Sequence, residues 1–376
     1  MAGKARRDQH LPFKKAACFF KNPEIMKKTN KVAELLTVCR DKSPILILPH
    51  NHPDPDSLAS GWALQYLLEQ KAEIASIIAY GGILGREENR TFKKLLRIDA
   101  IRLHPSHFKR FSSVALVDCQ PGGGNVSLPP SRKPLIVIDH HPRKRATQGV
   151  FIDIQPDCGA TATILVEYLR AAKVAVPPLL ATALYYALIS ETQHLGRDVT
   201  DRDIRASTFL FPLVRHRLIS RIEHPVHSRE FFQQLHTSLG KAFTYKSFVG
   251  ARLGTVYYPS FVAQLADLLV SLKRATWCLV TGRYRKTLHL SLRTTHPRAR
   301  AGKLLRKVIG NLGSAGGHEM IAGGQVKLAG LSAEEKIALE DNLFRRLFRE
   351  LGLPEDLKPN PLVAGAGEEV PKVPKV

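Results

Sequence analysis

Short apolar runs alternate with helix-patterned segments through the first half of the chain, and that alternation narrows the choice of fold more than any single motif does. Residues 43–50 (SPILILPH), 73–80 (EIASIIAY), 113–119 (SVALVDC) and 134–140 (PLIVIDH) read as buried strands. Segments 57–70, 89–97, 161–172 and 178–192 carry apolar residues at helical spacing, with Ser57 placed to cap the first. Strands alternating with helices predict an α/β domain built on a mostly parallel sheet with both faces covered. Ligands of such sheets gather beyond the carboxyl ends of the strands. This chain places His50, Asp118 and the run Asp139–His140–His141 at such ends.

The texture changes after about Arg215, where a charged, weakly periodic stretch reads as a linker. A strand over 251–258, a helix over 261–272, a hairpin over 277–294 and helices over 303–312 and 333–352 predict a second, smaller α/β domain. The expected organisation is a flexible basic arm (1–30), a first domain (31–215), a linker (216–244), a second domain (245–352) and a disordered Pro/Gly/Val-rich tail (353–376).

Charge and composition bound the partners. Hydrophobic residues are 44% of the 376, enough to build real cores, and the formal net charge is +23. Such an excess draws polyanions and speeds their capture, so a nucleic acid or a phosphorylated metabolite is the natural partner. The plainer alternative is a basic surface without nucleic-acid contacts. No apolar run approaches the ~18 residues of a membrane span, and the basic N-terminus lacks a secretory apolar core. Five cysteines without C-x-x-C spacing point away from disulfides and structural zinc, toward reduced thiols in a cytoplasm.

The densest motif is HNHPDPDS (50–57). Two carboxylates two residues apart on an extended turn would repel, and a divalent cation resolves that conflict. A polar loop capping the next helix, with Asp56 or Ser57 as the cap, explains the same residues. Two further strand ends, carrying Asp118 and Asp139–His140–His141, favour the metal reading. Mixed imidazole and carboxylate donors suit Mn, Zn, Fe or Co.

Taken in order, HNHPDPDSLAS, VDC, DHH and a later Gly-Gly-His resemble the DHH/DHHA1 phosphoesterase family over residues 31–352. The resemblance implies two divalent cations, manganese first and magnesium as the alternative. It implies His50 and Asp54 on one ion, Asp56 and His140 on the other, and Asp118 bridging both. Asp139 would orient the histidines and His141 would contact the scissile phosphate. Where the family has Asp-Thr after an apolar helix, this chain has Glu191-Thr192; Glu191 is expected as a ligand on a longer arm, with His194 as a substitute. In GSAGGHEMIAGG (313–324), Gly316, Gly317 and His318 match the family's glycine-histidine motif imperfectly, and with Arg293 they would clamp the substrate. Arg86 and Arg90 offer further phosphate contacts, or ion pairs with neighbouring Glu87 and Glu88. Segment 159–163 (GATAT) is a helix N-terminus, and Gly122–Gly124 lacks the lysine of a phosphate loop. The function implied is phosphodiester hydrolysis in short RNA or DNA oligonucleotides. Alternatives are a phosphatase on adenosine 3′,5′-bisphosphate, a cyclic-dinucleotide phosphodiesterase, a pyrophosphatase of the related type, or a nucleic-acid binder that has lost catalysis. A homodimer is left open.

Overall fold

The computed structural model describes residues 23–317, 319–354 and 359–363. The chain divides into two compact units, one of residues 1–84 with 88–225 and the other of 85–87 with 226–376.

The first unit runs α1 (Pro23–Cys39), β1 (Ile45–Leu48), α2 (Pro55–Ala72), β2 (Ser76–Tyr80), α3 (Glu87–Leu95), β3 (Ala100–Arg102), α4 (His107–Arg110), β4 (Ser113–Val117), β5 (Ile136–Asp139), β6 (Phe151–Ile154), α5 (Thr161–Ala171), α6 (Pro178–Glu191), α7 (Asp201–Leu210) and α8 (His216–Glu223). Its strands form a six-stranded sheet in the order β3-β2-β1-β4-β5-β6, every pairing parallel. The α/β expectation therefore holds.

β1 shows why both faces must be covered. All four of its side chains are buried. Ile45 and Ile47 enter the larger core beside Leu58, Leu64, Leu165 and Leu184. Leu46 and Leu48 enter a second core with Phe111, Leu116 and Val137. Each fully buried aliphatic side chain contributes roughly 1.5–3 kcal/mol. The sheet's connections reverse direction between β1 and β4, and ligands of open α/β sheets bind beyond the carboxyl ends of strands at such a switch point.

Local chemistry fixes the entry to α2. Asp54, not Ser57, is the N-cap: it accepts from Ser57 N, and the Ser57 side chain returns a bond to Asp54 N, closing a capping box. Pro55 occupies the first helical turn, where its missing N–H costs nothing. Asp54 and Asp56 thus do not share an extended turn; Asp56 already belongs to the helix.

The second unit contains α9 (Arg229–Gly240), β7 (Ala242–Tyr245), β8 (Phe248–Thr255), α10 (Ser260–Leu269), β9 (Trp277–Tyr284), β10 (Thr287–Thr294), α11 (Ala301–Ile309), β11 (Gly313–Gly317), β12 (Ile321–Lys327), α12 (Ala333–Glu350) and β13 (Asn360–Pro361). Its sheet is seven-stranded and mixed, ordered β11-β12-β10-β9-β8-β7-β13, with β8 and β9 parallel. The expected hairpin is β9–β10.

Three expected boundaries differ. Helix α1 begins at Pro23, inside the stretch read as an arm, and Lys28 pairs with Glu167 at 2.7 Å. The stretch 216–244 holds α8, α9 and most of β7 instead of a bare linker, because Ile219, Ile222, Gln234 and Ser238 are buried at helical spacing among the charges. Within the tail, Asn360–Pro361 pairs with β7.

Candidate metal centre

Asp118 stands at the middle of the site. It follows β4 directly, in the left-handed region at φ 59°, and donates its N–H to Ile138 O. Non-glycine residues adopt this conformation uncommonly, aspartate more readily than most. Asp118 is 2% exposed.

Three imidazoles surround it, and each has Nδ1 tied back. His50 Nδ1 bonds Asn51 O at 2.9 Å, which leaves Nε2 at 3.2 Å from Asp54 Oδ2 and 3.5 Å from Asp118 Oδ2. His140 Nδ1 bonds Cys158 O at 3.2 Å. Its Nε2 is buried without a hydrogen-bond partner and lies 3.7 Å from Asp118 Oδ1. His141 Nδ1 bonds Asp139 Oδ1 at 2.8 Å. Ligating histidines are fixed in this way, one ring nitrogen anchored so that the other keeps its lone pair for the metal. Two groups could hold a metal ion: His50 with Asp54 and Asp118, and His140 with His141 and Asp118, each offering donor atoms within 4.8 Å of one another. Asp118 belongs to both. Asp54 serves two masters: Oδ1 caps α2 while Oδ2 faces His50.

Asp56 and Glu191 fall outside both groups. Asp56 is 1% exposed, and its oxygens accept from Thr161 N and Ala162 N, both at 2.8 Å. The N-terminus of α5, where the helix dipole stabilises an anion, is thus occupied by a carboxylate of the chain itself. Thr161 Oγ1 also donates to Asp118 Oδ1 at 2.9 Å. Glu191 ends α6, with Arg197 Nη2 3.9 Å from Oε1 and 3.2 Å from the main-chain oxygen. His194 is mostly exposed and lies 3.8 Å from Glu223.

The carboxylates crowd one another. Burial, then repulsion from Asp54 and Glu191 against the pull of His140, pushes Asp56 up to about 7. Burial, then Asp56, Asp54, Asp139 and Glu191, holds Asp118 well above the carboxylate range. Burial opposes protonation of His50, but the Asp54 carboxylate overrides it and raises the ring to about 9. Glu191 is raised by burial and by Asp54. Divalent cations would remove this repulsion, and hard oxygens with borderline nitrogens suit them. The donor set therefore fits a metal.

This arrangement makes the metal-free protein sensitive to pH. Asp56 keeps, when folded, a proton that the unfolded chain releases above 3.8, so stability falls as pH rises from 3.8 to about 7. His50 contributes fully below 6.5 and is lost as pH rises through about 9. In chelator, the melting temperature is expected to fall between pH 5 and 9, and manganese to restore most at the highest pH, where ligands are deprotonated. A flat or rising melting curve in chelator would refute this electrostatic account.

The positioning residues were not singled out in the sequence. Gln120, fully buried, donates to Asp139 Oδ2 at 2.6 Å and accepts from Thr147 Oγ1 at 2.6 Å. Asp203, also fully buried, accepts from Gly159 N, Thr200 N, Thr200 Oγ1 and Thr163 Oγ1. The one available signal was the spacing Thr200-x-x-Asp203, a capping-box pattern.

The residues expected to hold substrate are more scattered. Arg90 is on α3, half-buried. Arg86 groups with the second unit, where Nη2 lies 2.8 Å from Asp267 Oδ2. Arg293 is 5% exposed and gives Nε to Asp267 Oδ1, so it is neither a solvated hairpin charge nor an unpaired cation. Gly316 and Gly317 lie in the exposed edge strand β11. Gly317 has φ +144°, and a Cβ there would meet Ile321 O at 2.2 Å, so the close backbone approach requires glycine. His318 lies outside the described residues.

The model of the DHH family N-terminal domain matches residues 44–188. Residues 44–188 of this chain are thus similar to the DHH family N-terminal domain. That match contains His50, Asp54, Asp118, His140 and His141. The uncharacterized protein MJ1633 of Methanocaldococcus jannaschii is 30% identical over 324 residues, 84% of this chain and 66% of that protein. A probable manganese-dependent inorganic pyrophosphatase of Enterococcus faecalis is 25% identical over 152 residues, 40% of this chain and 48% of that protein. The chain therefore spans less than two thirds of either relative's length. Among solved structures, an exopolyphosphatase-related protein from Bacteroides fragilis shares the fold at TM-score 0.66 and 15% identity, covering 87% of this chain and 97% of that one. No helix among the described residues is long and apolar enough to cross a membrane.

Proposed function

We propose that this protein is a metal-dependent phosphoesterase that holds two divalent ions, manganese foremost, and hydrolyses phosphodiester bonds in short oligonucleotides. One observation carries the reading: Asp118 lies between two His/Asp groups whose imidazoles have Nδ1 anchored. His50, Asp54 and Asp118 would hold one ion and His140 with Asp118 the other, with Asp56 and Glu191 completing the shell. Bound there, the ions supply charge neutralisation at the phosphoryl oxygens and a lowered pKa for water.

The chain's own residues account for the rest. Asp139 accepts from His141 Nδ1, raising that ring's affinity for a proton against the cost of burial. A ring anchored in this way presents Nε2 to the phosphate, where it can donate to a non-bridging oxygen and deliver a proton toward the leaving oxygen. The +23 charge gathers polyanions to the site. Likeness to the pyrophosphatase over 40% of the chain favours a second reading, in which the substrate is inorganic pyrophosphate.

The test is a side-by-side assay with manganese of a dinucleotide, adenosine 3′,5′-bisphosphate, cyclic di-adenylate and pyrophosphate. Fastest turnover of the dinucleotide is expected. Pyrophosphate as the fastest substrate would establish the second reading, and binding of oligonucleotide without turnover of any compound would mark a binder and overturn both.

A further inference from the structure

The sequence offered Gly122–Gly124 as a glycine loop without a phosphate-binding lysine. The fold supplies one from elsewhere. Lys144, in the loop after β5, brings Nζ to within 2.5 Å of the point a Cβ on Gly123 would occupy, and Ala146 Cβ lies 2.7 Å from the equivalent point on Gly122. The two loops are packed against each other, and only glycine at 123 allows the ammonium to stand there.

Both loops are fixed to the metal centre. Gln120 Nε2 donates to Asp139 Oδ2 and to His141 O and Pro142 O, while Gln120 Oε1 accepts from Lys144 N at 2.9 Å. A turn bond from Thr147 N to Lys144 O closes the second loop. On the other side, Asn51 N, next to His50, donates to Asn125 O at 2.6 Å. One fully buried amide thus ties the cation-bearing loop to the carboxylate that orients His141.

Among the described residues, the charges on this loop have no counter-ion. Arg143, Lys144 and Arg145 are exposed, and none has a carboxylate of a described residue within 4.0 Å. The first acid after Asp139 in the sequence is Asp153. An exposed ammonium beside two guanidinium groups, on a loop tied to the candidate metal centre, offers donors suited to a phosphate.

We propose that Lys144, standing over Gly123 with Arg143 and Arg145 beside it, forms a subsite for a second phosphate of the substrate. The inference rests on the phosphoesterase reading and refines it: the preferred substrate carries a phosphate besides the one cleaved.

The test compares a dinucleoside monophosphate with the same dinucleotide bearing an added 5′- or 3′-phosphate. In the intact chain with manganese, kcat/KM is expected to favour one of the doubly phosphorylated substrates by tenfold or more. Lys144→Ala should lower that ratio at least tenfold. Gly123→Ala, which keeps the charge but displaces the ammonium, should lower it too, and Arg217→Ala, a cation on α8, should not. No preference in the parent protein, a ratio kept by Lys144→Ala or Gly123→Ala, or an equal loss in Arg217→Ala would overturn the subsite. If the parent protein turns over none of these substrates, the phosphoesterase reading fails by itself. The subsite is then judged by equilibrium binding of the same compounds to chelator-treated protein, where tenfold weaker binding of the doubly phosphorylated dinucleotide to Lys144→Ala supports it and unchanged binding overturns it.

Discussion

Asp118→Asn is expected to lower manganese-dependent turnover by about 1,000-fold or more, a barrier increase of roughly 4 kcal/mol, while leaving the metal-free protein as stable as before or more so. The two halves of this expectation have one cause. Asp118 is the only residue shared, among the described residues, by the two groups that could hold a metal ion, with Oδ2 toward His50 and Oδ1 toward His140. Asparagine keeps the shape and can still accept from Thr161 Oγ1, which donates to Asp118 Oδ1. It removes a buried carboxylate whose charged form is disfavoured by burial and by Asp56, Asp54, Asp139 and Glu191. Loss of metal-ligand charge thus separates from loss of fold. The measurements are initial rates with manganese and urea unfolding in chelator. Retained turnover would show that Asp118 bridges nothing, and a large loss of metal-free stability would show that it holds the fold instead.

The strand ends were legible because parallel strands buried on both faces must be short and continuously apolar, so the first polar residue after each one marks the sheet edge. His50 after β1 and Asp118 after β4 follow from that rule alone. The order of the strands does not, since β1 meets β4 only through pairing between residues far apart in sequence, Leu48 with Leu116. The cap of α2 was misplaced by three residues: Asp54 and Ser57 are both good caps, and the capping box uses them reciprocally. The stretch 216–244 looked like a linker because its charges hide a sparse buried face, Ile219, Ile222, Gln234 and Ser238. Gln120, Thr161 and the bonds of Asp203 to Gly159 and Thr163, beyond its own capping box, went unseen for a different reason. Their work is hydrogen bonding across the fold, and nothing in local spacing marks a buried polar residue whose partners lie in other elements.

Asp203→Ala tests the most remote of these residues. We expect it to cost about 3 kcal/mol or more in stability, since it leaves the buried donors of Gly159 and Thr163 and the half-buried donors of Thr200 without their acceptor. Stability alone would not connect Asp203 to the site, but the geometry does. Gly159 is pressed among Thr192 Cγ2 at 2.7 Å, Asp198 O at 2.9 Å and Asp203 Oδ2 at 3.0 Å from its would-be Cβ, so Asp203 sets the turn that begins α5. Two residues on, Thr161 grips both Asp56 and Asp118. If that chain of contacts positions the ligands, manganese affinity should fall by about 10–100-fold, as for residues that orient metal ligands elsewhere. Asp203→Asn, which retains one acceptor oxygen, should recover part of the stability and part of the affinity together. Calorimetric titration of folded, chelator-stripped protein with manganese decides the matter: weakened binding in proportion to the lost hydrogen bonds makes Asp203 a positioning residue, whereas unchanged binding in a destabilised variant would reduce it to a structural cap of α7.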